Sequence, residues 1–187
     1  GYLLHFSFLP DELRSETHNC LYPENLYKGI FWQQNPKLIY LGMQDQYFTF
    51  NMFDAQAWYA RDVIMGRIDL PALAARKADE KQWVDEYAAV KTVDEEIDFQ
   101  AKYIRDLTDP TDYPEFEVEQ QGEIFKQWQK DKKVDIMGFR EKSYRSTLTG
   151  TLAPELPKPW LEIMDDSLEH FLNLTLVKNK KKNKAAH

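Results

Sequence analysis

Cysteine is almost absent. Cys20 is the single thiol in 187 residues, which excludes an internal disulfide framework and fits a reducing cytoplasm. His5 and His18 form no metal-ligand spacing with each other or with Cys20, so no metal is expected. No apolar run reaches the roughly 18 residues that a membrane-spanning helix requires. Positive charge is in deficit, with 24 Lys and Arg against 31 Asp and Glu, and the net charge of -7 argues against a nucleic-acid partner. The Lys-rich stretch from Lys178 to Lys184 runs against that balance and reads as a solvated tail. Glycine is scarce too: the seven glycines include no Gly-x-Gly-x-x-Gly, so these residues hold no cradle for a dinucleotide pyrophosphate. Ser7, Ser15 and Ser143 lack the Gly-x-Ser-x-Gly elbow of hydrolases.

What is present is a globular composition with an aromatic excess. Hydrophobic residues at 43% and charged residues at 29% predict a packed core under a solvated surface. Aromatics reach 14%, including five Trp and ten Tyr, which suits a core or an interface built around large flat groups. The length fits one ordinary domain. The opening Gly1-Tyr2, followed at once by the apolar string Leu3 to Leu9, reads as the interior of a longer polypeptide.

Residues 1–35 are punctuated by Pro10, Pro23, Asn25 and Gly29 and read as irregular, with a candidate strand over 27–32. Lys37-Leu38-Ile39-Tyr40-Leu41-Gly42 is a short continuous apolar run, which predicts a strand buried on both faces as in a parallel sheet. A helix is expected from Met52 to Met65, with Asn51 as N-cap, Asp54 in the first turn and Gly66 as the stop. Phe53, Ala57, Ala60 and Ile64 fall on one face of it. Helical spacing recurs near 76–90, 94–107, 119–131 and 160–173. Thr92-Val93-Asp94-Glu95 has the form of a capping box, and Asp109 to Pro114 is a firm break.

The stretch Gly42–Ala57 is the most informative. A strand ending in glycine delivers a loop at its carboxyl end, where open α/β sheets bind ligands, and the following helix turns its unpaired N–H groups toward that crevice. Gln44, Gln46 and Thr49 lie between Tyr47, Phe48 and Phe50, a pairing of amides with rings that suits a flavin. On residues alone a second reading stands beside it, in which the polar groups are turn chemistry and the rings are core.

The wider sequence bears on that choice. Gly1-Tyr2, Phe6-Ser7-Phe8-Leu9-Pro10, Asn25-Leu26-Tyr27-Lys28-Gly29, Gly42-Met43-Gln44-Asp45-Gln46, the run from Asn51 to Arg67, Phe139-Arg140, Ser143-Tyr144-Arg145-Ser146 and Thr149-Gly150-Thr151 together resemble the trimethylamine monooxygenase family, bacterial members of the flavin-containing monooxygenases. The resemblance runs to about residue 172 and leaves the tail beyond it without an account.

The resemblance implies an α/β fold class. The chain would be the C-terminal part of a two-dinucleotide-binding-domain flavoprotein, in which a few strands complete the FAD-domain sheet before a mainly helical region. Residues 1–70 would close the FAD-binding domain, with the strand-loop-helix at 37–66. Residues 71–172 would form a helical extension packed on the FAD and NADP domains, and residues 173–187 a polar basic tail. The implied activity is N-oxygenation of trimethylamine to its N-oxide with FAD and NADPH, through a C4a-hydroperoxyflavin. Partners would be the missing amino-terminal part, an amine substrate, molecular oxygen and a second copy in a homodimer, and this chain alone would be inactive. Carried over by position, Gln46 and Thr49 contact FAD, Asp45 faces the nicotinamide, and Tyr47 stands where relatives often have Trp. Trp128 lies near the substrate and nicotinamide pocket, and Arg140 reaches NADP. The alternatives from the residues themselves are a turn cap for Asp45, a core Trp on the 119–131 helix for Trp128 and a surface ion pair for Arg140. A broader amine or sulfide oxygenase, or a non-catalytic packing or dimerisation module, are the competing functions.

Overall fold

The computed structural model describes residues 3–4, 6–14, 17–18, 20–147 and 149–152, with backbone alone at 3–4 and 17–18. The expected helix over 160–173, the basic tail, Gly1-Tyr2, His5 and Ser15 lie outside the described residues. The chain divides into two compact units, 1–151 and 152–187, and the described strands and helices belong to the first.

Its amino-terminal third is built from two-residue strands. β1 (Leu3–Leu4) pairs antiparallel with β2 (Thr17–His18), and β3 (Leu26–Tyr27) with β4 (Phe31–Trp32). The expected strand over 27–32 therefore turns back midway, because Lys28 and Gly29 both take positive φ, 54° and 62°. Lysine rarely adopts that conformation. It is held there by two ion pairs, from Lys28 Nζ to Asp79 at 3.0 Å and to Asp106 at 2.7 Å.

The run over 37–42 departs from the expected buried parallel strand. It makes one antiparallel bridge, Ile39 to Phe31, flanked by bonds from Trp32 N–H to Leu38 O and from Tyr40 N–H to Ile30 O. The cause is local. The Asn35 side chain and carbonyl accept from the Lys37 and Leu38 amides, which reverses the chain directly onto β4. An antiparallel return needs no crossover. Leu41 stays 49% exposed.

Four helices follow: α1 (Thr49–Ile64), α2 (Leu73–Ala89), α3 (Val93–Thr108) and α4 (Val118–Val134). The last three match the spacing read from the sequence. Thr92 and Glu95 form the expected capping box, and Gly66, at φ 69°, follows the end of α1. The start of α1 differs. Met52 N–H already bonds Phe48 O, so Asn51 lies inside the first turn, Asp54 beyond it, and no side chain caps the helix. Its buried face differs as well, being Met52, Ala55, Gln56, Tyr59, Ala60 and Asp62. Of the expected stripe only Ala60 is buried, while Ile64 is 69% exposed and neighbouring Phe50 is 80% exposed.

α3 is the central helix. Ile97, Ala101, Ile104 and Leu107 recur at helical spacing and are buried, and the helix packs on both α1 and α4. Trp83 of α2 meets Phe99 and Tyr103 edge-on, at 5.4 Å and 5.7 Å between ring centroids, and stacks on Tyr22. Much of the aromatic excess is therefore core.

A buried polar knot fixes the loop that precedes α1. Gln56 Nε2 donates to Gln44 Oε1 at 2.8 Å and to Tyr103 Oη at 3.0 Å, and Gln56 Oε1 accepts from the Gly42 amide. Tyr103 in turn donates to Lys28 O at 2.7 Å. A Cβ at Gly29 would run into the Gln44 amide and the Tyr103 hydroxyl, so glycine is required there for space as well as for φ.

Candidate functional site

The loop residues 45–47 are held from α3 by one glutamine. Gln100 Oε1 accepts the Tyr47 amide at 2.8 Å while Gln100 Nε2 donates to Asp45 O, so both faces of the loop are pinned. Tyr47 Oη donates to Glu96 Oε2 at 2.5 Å. Burial, and then that bond to a carboxylate, push the Tyr47 phenol above its ordinary pKa, so it stays a neutral donor. Phe48, fully buried, meets Phe125 of α4 edge-on at 5.0 Å. The loop and α4 are thus locked together.

Between them lies a cleft of about 410 Å³. Gln46 and Tyr47 form one wall, Phe125, Trp128 and Lys132 of α4 form another, and Tyr144 closes the outer side. Phe125, Trp128 and Lys132 are spaced i, i+3, i+7, which sets them on one helix face. The outer wall depends on Asp131. It accepts from Lys142 Nζ at 2.7 Å and from Tyr144 Oη at 2.6 Å, drawing the segment after the 3-10 turn Phe139–Glu141 back onto α4. Burial and then the Asp131 contact push the Tyr144 phenol up to about 12. Lys142, followed by Tyr144, holds the Asp131 carboxyl below its usual value.

Three of the residues singled out from the sequence meet here: Gln46, Tyr47 and Trp128. Trp128 is half-buried on the cleft, its ring 5.2 Å from that of buried Phe139. Arg140 is outside it and exposed; its guanidinium lies 4.5 Å from the Phe139 ring centroid, and no carboxylate pairs with it among the described residues. Thr49 opens α1 and is exposed. Asp45 is exposed, its Oδ1 accepting the Gln46 amide at 3.0 Å. Gln44, read as a ligand-facing amide, is instead consumed in the buried knot, and Phe48 is core. Sequence reasoning missed Lys132, Tyr144 and Gln100. Lys132 had a signal, its i+4 relation to Trp128, whereas the other two are placed by long-range folding.

The lining is chemically mixed. It offers aromatic faces, amide groups that both donate and accept, and an ammonium, a set suited to a flat polar heterocycle with an anionic substituent.

No family model matches the chain. Among known proteins, it is 58% identical over 173 residues to the trimethylamine monooxygenase of Methylocella silvestris, covering 92% of this chain and 38% of that protein. The crystal structure of Tmm from Pelagibacter sp. strain HTCC7211 superposes with a TM-score of 0.83 at 48% identity, covering 91% of this chain and 39% of that one. The chain is homologous to the carboxy-terminal part of trimethylamine monooxygenases. A more distant relative, a flavin-containing monooxygenase of Aspergillus flavus, is 27% identical over 118 residues, 57% of this chain and 24% of its own length. The chain therefore spans well under half the length of these monooxygenases, and the four helices and small strand pairs of its described residues match the fold of that carboxy-terminal part. Among the described residues no helix is long and apolar enough to cross a membrane.

Proposed function

We propose that this chain supplies one wall of the oxygenation site in an FAD- and NADPH-dependent monooxygenase that converts trimethylamine to trimethylamine N-oxide. The observation that carries the reading is the meeting of the neighbours Gln46 and Tyr47 with Trp128, distant from them in sequence, at one cleft. The residues fit a bound dinucleotide in part. Rings and amides suit a flat heterocycle, while the pyrophosphate must be cradled by residues outside this chain, which has no glycine-rich fingerprint. Gln46 and Thr49 would hold the flavin edge, Asp45 and Trp128 would face the nicotinamide, and Arg140 would take a phosphate through its planar fork.

When bound, the flavin supplies oxygen activation after reduction by the nicotinamide. The part of this chain is positional. Tyr47, Phe125, Trp128 and Tyr144 exclude water from the cleft, and Gln46 presents an amide whose backbone neighbours are pinned by Gln100. Residues 1–70 then close the FAD-binding domain, and the helices beyond form an extension packed on it. The uncovered apolar stripe of α1, in which Phe50, Ala57 and Ile64 are exposed and Phe53 half-buried, is the surface that receives the amino-terminal part of the enzyme.

The test uses the complete flavoprotein carrying this segment. Gln46→Ala with Thr49→Ala lowers bound FAD, read as visible flavin absorbance per protein, and Arg140→Ala raises the KM for NADPH more than it lowers kcat. Unchanged flavin content and KM would instead favour a packing or dimerisation module.

A further inference from the structure

Three of the lysines around Lys132 have carboxylate partners. Lys126 lies 2.6 Å from Asp98 and 2.7 Å from Glu123, Lys130 lies 4.0 Å from Asp94, and Lys142 lies 2.7 Å from Asp131. The chain carries a net charge of -7, so carboxylates are plentiful. Lys132 has no carboxylate partner among the described residues; the adjacent Lys133 has none either, but it is exposed and lies outside the cleft. Its ammonium lies 5.3 Å from the Trp128 ring centroid, and the side chain is half-buried in the cleft. Arg140 repeats the arrangement on the adjoining ring, over Phe139. Two cations without carboxylate partners therefore flank one Trp128–Phe139 aromatic pair.

A purely structural account assigns Lys132 to the helix dipole, since it lies in the last turn of α4. Lys133 shares that turn and is exposed. The dipole acts on both and does not explain why Lys132 alone lines the cleft. An ammonium set on an aromatic face of the cleft, with no acidic partner among the described residues, is arranged for an anion that arrives with the ligand.

We propose that Lys132 is a phosphate anchor of the cleft: it takes a nucleotide whose flat ring enters next to Trp128 and whose phosphate is drawn to the Lys132 ammonium, while Arg140, outside the cleft, meets the part of the same ligand that projects from it. This rests on the reading of the cleft as a dinucleotide wall and adds to it the residue that selects for a phosphorylated ligand. Lysine contributes a point charge and arginine a planar fork, a division that tolerates a flexible phosphate on one side and fixes its geometry on the other.

The test follows the Trp128 indole N–H resonance of the ¹⁵N-labelled complete flavoprotein carrying this segment, prepared free of bound nucleotide and assigned with Trp128→Phe. NADP⁺, FAD, nicotinamide and inorganic pyrophosphate are titrated to millimolar concentrations into the wild type, Lys132→Gln and Lys133→Gln. The expected result is a saturable shift with NADP⁺ that Lys132→Gln weakens about tenfold or more. Lys133→Gln leaves it unchanged, and the weaker response to nicotinamide, which has no phosphate, is the same in all three proteins. A Lys132-dependent shift with FAD in place of NADP⁺ supports the anchor and assigns its phosphate to the flavin nucleotide. Equal NADP⁺ affinity in wild type and Lys132→Gln overturns the anchor while leaving the cleft reading intact. Equal weakening by Lys133→Gln, or a pyrophosphate response as strong as that to NADP⁺, overturns it in favour of general charge attraction. If no ring-bearing probe moves Trp128, the anchor and the cleft reading both fall.

Discussion

The Tyr144 hydroxyl donates to Asp131 Oδ2 at 2.6 Å, and through that bond a residue beyond α4 becomes part of the cleft. Asp131→Asn weakens this bond and removes the charge that holds Lys142. The expected outcome is faster amide exchange over 139–144 with little change in the global unfolding midpoint, because the segment lies at the low-stability edge. Unaltered exchange there would show that the outer wall is held by something else.

Acidity acts on the same carboxylate. The Asp131 pKa in the folded chain lies below its ordinary 3.8, so its contribution is complete above that value and is lost as pH falls through the depressed one. Amide exchange over 139–144 in the wild type quickens on acidification through that window, and its difference from Asp131→Asn narrows. Tyr144 is not the titrating partner, since its phenol remains protonated throughout.

Gln56→Ala strips the buried knot. The Gly42 amide, Gln44 Oε1 and Tyr103 Oη each lose a partner, and the cost is roughly 2–4 kcal/mol. Urea unfolding reports a lower midpoint at an unchanged m value. A loss near zero would mean that the three groups find other partners.

Thr92→Ala is expected to cost about 1 kcal/mol through loss of the cap on α3. A thermal scan of the single variant checks it. Thr92→Ser keeps the hydroxyl and should behave as wild type.

The uncovered stripe on α1 makes the isolated chain prone to self-association, since Phe50 and Ile64 are both largely exposed. Sedimentation velocity of the chain should show concentration-dependent association. Phe50→Ser with Ile64→Lys should suppress it without altering the far-ultraviolet circular dichroism.

Some of this was legible in the sequence and some was not, for particular reasons. Helices α2 to α4, the Thr92 cap and the break at Asp109 to Pro114 follow from local spacing and local chemistry. The face of α1 does not. Two apolar stripes compete on that helix, and the one buried carries Gln56, whose burial depends on acceptors and donors from Gly42, Gln44 and Tyr103. A pattern of apolar residues cannot register such a partner-dependent choice. The run over 37–42 misled for the opposite reason, since its continuous hydrophobicity hid a turn at Asn35 that sends it back antiparallel. Gln46, Tyr47 and Trp128 were reached by resemblance, while Tyr144 enters the cleft only through Asp131.

The knot of Gln44, Gln56 and Tyr103 contains no charge, and burial holds the Tyr103 phenol far above its ordinary pKa. Its strength is therefore indifferent to ionic strength, whereas the Lys142–Asp131 contact on the outer wall is partly exposed and open to screening. Raising salt should act selectively, loosening the outer side of the cleft while the inner loop keeps its place. In a concentrated electrolyte the entrance would yield before the frame behind it.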